Sequence, residues 1–83
     1  MSRLLLAEDD PLLGTTIKLN LEAEGHELDW LTNGQEVLDQ ASAKTYDAIV
    51  LDISMPGLDG LSVLGELRNR GNVTPVLMLT VRN

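Results

Sequence analysis

Four short apolar runs, separated by longer amphipathic stretches, constrain the fold of this chain more than any other feature. The runs cover residues 4–7, 26–30, 48–51 and 76–79. Three of them are continuous, which is typical of strands that are buried on both faces of a parallel sheet. The run at 26–30 alternates polar and apolar residues and therefore indicates an edge strand with one wetter face.

The stretches between the runs have the spacing of helices. The first is marked by Leu13, Ile17 and Leu21, the second by Val37, Leu38 and Ala41, and the third by Leu61, Leu64 and Leu67. These patterns predict one helix from about residue 11 to 24 and a second that begins near residues 33–34. The third is predicted to begin after a cap at Asp59. Strands that alternate with helices close compactly as right-handed crossovers over a parallel sheet. We therefore predict an α/β fold in one domain over residues 1–83.

Composition excludes several functional classes. Thirteen acidic against six basic residues give a net charge of −7, which repels phosphate backbones and anionic membranes. We expect no direct contact with nucleic acid and none with a membrane. The chain has no cysteine, which excludes disulfides and thiolate metal sites. Its apolar runs fall far short of the ~20 residues of a membrane helix, and its start does not fit a signal peptide, so we expect a cytoplasmic location.

Polar side chains follow three of the predicted strands. Glu8 and Asp9 follow the first, Asp52 follows the third, and Thr80 follows the fourth. Neighbouring parallel strands end at the same rim, where three anions would raise one another's pKa unless a cation were bound. Oxygen donors without cysteine favour a hard ion such as Mg²⁺. The alternative is that such carboxylates are only solvated or cap helices, as Asp10 is expected to do.

The segment around Asp52 gives the sharper hypothesis. Residues 51–60 place this acid at the end of a buried strand, before a Pro-Gly turn and a capped helix. A rigidly held carboxylate can attack phosphorus when a metal neutralises the incoming group. Asp52 is therefore the candidate nucleophile, and the alternative is a helix-entry loop with an incidental acid. Thr80, taken alone, is more typical of a strand-ending hydroxyl bonded to nearby backbone.

Three segments in this order resemble the receiver domain of bacterial two-component response regulators, especially the winged-helix transcription-factor class. They are LLLAEDD at 4–10, DAIVLDISMPGLDG at 47–60 and PVLMLT at 75–80. The resemblance covers all 83 residues, which correspond to about the first two-thirds of that domain. It implies a flavodoxin-like parallel sheet with strand order 2-1-3-4, without the family's last helix, strand and helix.

The resemblance also implies roles for individual residues. Asp52 would accept a phosphoryl group from the phosphohistidine of a sensor histidine kinase. Mg²⁺ would be held by Asp9, Asp52 and the backbone carbonyl of Ser54, with Glu8 acting directly or through water. Thr80 would hydrogen-bond a phosphoryl oxygen and signal its presence. Such a chain modifies itself, so we do not expect an enzyme that turns over an external substrate.

One alternative stays open beside this hypothesis, and another is disfavoured. The family's fifth strand carries a lysine that the chain lacks, and neither Lys18 nor Lys44 replaces it, because both fall in helical regions. An uncovered fourth strand would invite pairing, so we expect a homo-oligomer and consider a non-switching assembly module. A small phosphatase or nucleotide-binding protein is disfavoured, since no second acid lies two residues after Asp52 and no glycine-rich phosphate loop is present.

Overall fold

Four parallel strands and three helices alternate along the chain in a computed structural model that describes residues 2–55 and 57–79. The elements are β1 (Arg3–Ala7), α1 (Pro11–Ala23), β2 (Glu27–Leu31), α2 (Gly34–Ala43), β3 (Ala48–Asp52), α3 (Gly60–Asn69) and β4 (Val76–Leu79). The sheet order is β2-β1-β3-β4, and every pair is parallel. The predicted α/β class, strand order and edge position of the second strand are therefore confirmed.

The continuous apolar runs reflect burial on both faces of the central strands. Leu5 of β1 and Ile49 of β3 face a cluster that α2 and α3 cover. Leu6 and Val50, one residue further along each strand, face the opposite cluster beneath α1. Burial of each such side chain contributes about 1.5 to 3 kcal/mol, so both layers stabilise the sheet.

Side-chain caps fix where the helices begin. Asp10, Asn33 and Asp59 precede the three helices, and each accepts a backbone N–H of the first turn at 2.8 to 3.4 Å. The caps predicted at Asp10 and Asp59 are confirmed. Asp10 lies in the loop between β1 and α1, and Asp59 lies in the loop between β3 and α3. Their capping hydrogen bonds therefore limit the conformations of these two loops.

Leu61, one of the three leucines whose spacing marks α3 in the sequence, does not lie on the buried face of this helix. This side chain is 59% exposed, whereas Val63 and Leu67 are buried and Leu64 is only partly covered. Both sets have helical spacing, and the contact with α2 decides between them. A side chain on Gly34 of α2 would overlap Val63, so the helices approach closely where Val63 faces inward.

The fourth strand is an outer strand of the sheet in the described part of the chain. It pairs with β3 on one side, and Leu77 is 61% exposed. No helix among the described residues is both long and apolar enough to span a bilayer.

Candidate functional site

Three carboxylates meet at the C-terminal rim of the sheet. Glu8 and Asp9 follow β1, Asp52 ends β3, and the register that pairs Ala7 with Leu51 brings the two strand ends side by side. One carboxylate oxygen from each acid lies within 4.8 Å of those of the other two. The structure thus brings together the three acids that the sequence predicts at one rim.

Glu8 is the buried member of this cluster, with 1% of its surface exposed. Its Oε2 accepts the backbone N–H of Asp10 at 3.0 Å, while its Oε1 is buried without a hydrogen-bond partner among the described residues. Burial raises the pKa of the Glu8 carboxyl to about 7; the Asp10 N–H opposes this rise, and Asp52 and Asp9 add to it. Without a cation, Glu8 therefore carries a proton for much of the time near neutral pH.

Asp52 is held firmly at the end of β3. It is 4% exposed, and its Oδ1 accepts the backbone N–H of Ser54 at 3.2 Å. Gly60 packs against the carbonyl of Asp52, where a side chain would overlap the backbone, and its N–H bonds the carbonyl of Ile53 at 3.1 Å. The first turn of α3 therefore fixes the backbone that carries this carboxylate.

The donor set fits a hard divalent cation. All the donors are oxygens, and Oε1 of Glu8, which has no hydrogen-bond partner in the described part of the chain, offers a buried lone pair to an ion. Asp9 is exposed, which leaves one side of the cluster open to solvent and to water ligands. Ligation by the Ser54 carbonyl stays a prediction, and Thr80 lies outside the described residues.

The basic side chains that the structure describes are paired away from the three acids. Lys18 bonds Glu22 at 2.7 Å, and Lys44 lies 3.7 Å from Asp29. The remaining described cations bond Glu27, Glu66 or backbone carbonyls. Among the described residues, no basic side chain compensates the charge of the cluster, which bound protons or a cation would neutralise.

Trp30 is a residue of this site for which the sequence predicts no role beyond packing. Its indole Nε1 donates to the backbone carbonyl of Glu8 at 2.9 Å, and its ring lies against Gly14 of α1. The available signal was weak, since an aromatic residue in an edge strand is usually a packing residue. The direction of its N–H depends on the fold.

Comparison with known proteins defines the class. Residues 4–83 match the response regulator receiver domain, and the chain belongs to this family. It is 43% identical over 81 residues to the transcriptional regulatory protein QseB of Escherichia coli O157:H7, and 44% identical over 81 residues to the response regulator protein PmrA of Pseudomonas aeruginosa. Each match covers 98% of this chain, which spans 37% of the length of either relative.

Solved structures show the same fold. A Francisella response regulator receiver domain matches with a TM-score of 0.94 and 36% identity, over 96% of this chain and 66% of that one. Thermotoga maritima TrrA, determined with Mg²⁺ and BeF, matches with a TM-score of 0.93 and 37% identity, over 100% of this chain and 72% of that one. TrrA has also been solved in complex with the histidine kinase ThkA. The flavodoxin-like receiver architecture is therefore shown.

Proposed function

We propose that this chain is a phosphoacceptor module of two-component signalling, in which Asp52 takes a phosphoryl group from the phosphohistidine of a sensor histidine kinase. The observation that carries the proposal is the convergence of Glu8, Asp9 and Asp52 within 4.8 Å at the rim of a receiver fold. The complex of TrrA with a histidine kinase supports the same class of partner.

The proposed step is a direct transfer. A carboxylate oxygen of Asp52 forms a bond to phosphorus while the bond from phosphorus to the imidazole nitrogen breaks, and the nitrogen keeps the electron pair. The Ser54 N–H, which holds Oδ1, fixes the orientation of the attacking carboxylate. Because phosphoryl transfer depends mainly on positioning and charge stabilisation, the rigid end of β3 suits this role.

Glu8, Asp9 and Asp52 would hold Mg²⁺, with the backbone carbonyl of Ser54 as a further ligand. When bound, the ion supplies positive charge that neutralises the incoming phosphoryl group. Glu8 has to lose its proton to act as a ligand, so metal binding near neutral pH should release protons. Thr80 would hydrogen-bond a phosphoryl oxygen. The product is the modified chain itself, with no turnover of an external substrate.

The test is intact-mass spectrometry after incubation with a small acyl-phosphate donor, with Mg²⁺ or with a chelator. The parent chain should gain one phosphoryl group in Mg²⁺ and none in chelator, whereas Asp52→Asn should gain none. Asp59→Asn is the matched control, because Asp59 is an exposed helix cap in the same loop. Equal labelling of Asp52→Asn and the parent would refute the assignment.

Self-association through β4 is a second candidate function for the 83-residue chain. The observation that favours it is the outer position of β4 among the described strands, beside an apolar groove of about 430 Å³ between α1 and the sheet. The groove is lined by residues that include Leu4, Ile17, Leu21, Val50, Leu77 and Leu79. We propose that a second copy pairs along β4 and covers this groove, as a non-switching assembly module would.

Sedimentation velocity over a range of protein concentrations tests this second candidate. The parent should form a dimer or a larger species, and Leu77→Lys should weaken that association. Val73→Lys is the control, because Val73 is 84% exposed and precedes the strand. A folded parent that stays monomeric at high concentration would rule the candidate out.

A further inference from the structure

We propose that Trp30 is a positioning residue for the carboxylate cluster, because its indole N–H holds the backbone of Glu8 in the orientation that brings Glu8 and Asp9 towards Asp52. The inference rests on the proposed function and deepens it, since it assigns to β2 a part in building a site whose acids lie on β3 and after β1. This positioning role differs from that of a metal ligand, because Trp30 would not touch the ion.

The end of β2 binds both peptide groups of Glu8. The N–H of Glu8 donates to the carbonyl of Leu31 at 3.0 Å, and the carbonyl of Glu8 accepts from Trp30 Nε1 at 2.9 Å. That carbonyl belongs to the planar peptide that links Glu8 to Asp9. Fixing its direction therefore fixes the backbone between two of the three clustered acids.

The ring of Trp30 is itself held in place by α1. Gly14 is buried, and a Cβ at this position would overlap the six-membered ring of the indole. Trp30 also packs against the apolar cluster that contains Leu6 and Leu28. Contact with a helix on one side and with this cluster on the other leaves the N–H donor little freedom, as a positioning role requires.

If Trp30 contributed only to packing, its replacement would have a different effect. A buried indole usually finds some acceptor, so the hydrogen bond to Glu8 could serve Trp30 rather than the site. In that case its removal would lower stability and leave metal affinity unchanged. If the bond positions Glu8 and Asp9, its removal should weaken cation binding beyond any change in stability.

Thermal unfolding followed by circular dichroism separates these effects, with the full chain at a series of Mg²⁺ concentrations. The midpoint without Mg²⁺ reports stability, and the rise of the midpoint with concentration gives the dissociation constant. Trp30→Phe keeps an aromatic ring and removes the donor. We expect its Mg²⁺ dissociation constant to rise by about threefold to tenfold, the range for one hydrogen bond.

Two further variants complete the test. Leu21→Ala removes packing from the cluster beside Trp30 and should lower the midpoint without changing the dissociation constant. Gly14→Ala retains the indole but displaces it, and should weaken Mg²⁺ binding as Trp30→Phe does. Gly14→Ala also decides the matter if Trp30→Phe does not fold.

The outcomes distinguish this inference from the proposed function. A parent chain that Mg²⁺ does not stabilise would contradict both. A parent that binds Mg²⁺, with dissociation constants for Trp30→Phe and Gly14→Ala within about twofold of the parent value, would overturn the role of Trp30 alone. Weakened binding in both variants, with unchanged binding in Leu21→Ala, would support it.

Discussion

Replacing Glu8 with glutamine should stabilise the metal-free chain at neutral pH and have little effect at about pH 4. The pKa of Glu8 is about 7 in the folded chain, because the side chain is buried, against an ordinary value of 4.5. Each pH unit of difference corresponds to about 1.4 kcal/mol, so the ionised carboxylate costs roughly 3 kcal/mol. Against the 5 to 15 kcal/mol of a typical domain, this cost is large.

The sign follows from which state binds the proton. Below pH 4.5 both states carry the proton, and the cost of ionisation is absent. As pH rises from 4.5 to about 7, the unfolded chain ionises while folded Glu8 stays protonated, so the free energy of unfolding falls. Above about 7 the full cost is present. Two other carboxyls, those of Asp29 and Asp59, have pKa values below the ordinary 3.8. The Tyr46 hydrogen bond is the main cause for Asp29, and the Ser62 N–H is the main cause for Asp59. Both groups therefore titrate at lower pH than Glu8 and do not affect this comparison.

The assay is urea unfolding followed by circular dichroism, in metal-free buffers from about pH 4 to pH 8. Linear extrapolation gives the free energy of unfolding of the parent and of Glu8→Gln at each pH. The difference should grow from near zero to roughly 3 kcal/mol in favour of Glu8→Gln. In saturating Mg²⁺ the advantage should shrink or reverse, because the variant has lost a charged ligand. A difference that does not change with pH would refute the reasoning.

Further predictions concern packing and the Asp29 hydrogen bond. Gly60→Ala should destabilise the chain by about 1 to 3 kcal/mol in urea unfolding, because its Cβ would overlap the backbone of Asp52. The same change at Gly65, where a Cβ meets nothing within 4 Å, should be neutral or stabilise by up to about 1 kcal/mol, and equal effects at the two sites would contradict this account. Tyr46→Phe should cost about 1 to 2 kcal/mol at neutral pH, because Tyr46 donates to Asp29 at 2.5 Å. Tyr46→Phe should also raise the pKa of Asp29, measured by NMR titration. An unchanged pKa would exclude the Tyr46 hydrogen bond as the cause of the lowered pKa of Asp29.

Much of the fold could be predicted because local signals and topology agree. Strands buried on both faces are apolar without interruption, and the caps at Asp10 and Asp59 mark where helices begin. The face of α3 could not be predicted, since Leu61 and Val63 both belong to helical patterns. In the structure Val63 faces inward, where α3 lies close to Gly34 of α2.

The three acids of the site could be predicted from the sequence. Strand order places Glu8, Asp9 and Asp52 at one rim whatever their side-chain conformations. The sequence does not reveal that Glu8 is 1% exposed, with one oxygen that has no partner among the described residues, because burial depends on the tertiary packing around it. It also does not reveal the hydrogen bond from Trp30, which joins residues 22 positions apart.

The central claim is that Asp52 is the phosphoacceptor, and chemical localisation of the phosphoryl group tests it most directly. The chain would be incubated with Mg²⁺ and an acyl-phosphate donor, then treated with borohydride, which reduces an aspartyl phosphate to homoserine. Peptide mass spectrometry would identify the modified residue. Homoserine is expected at position 52. Homoserine at Asp9 or Asp59 instead, or at no position in a folded sample, would contradict it.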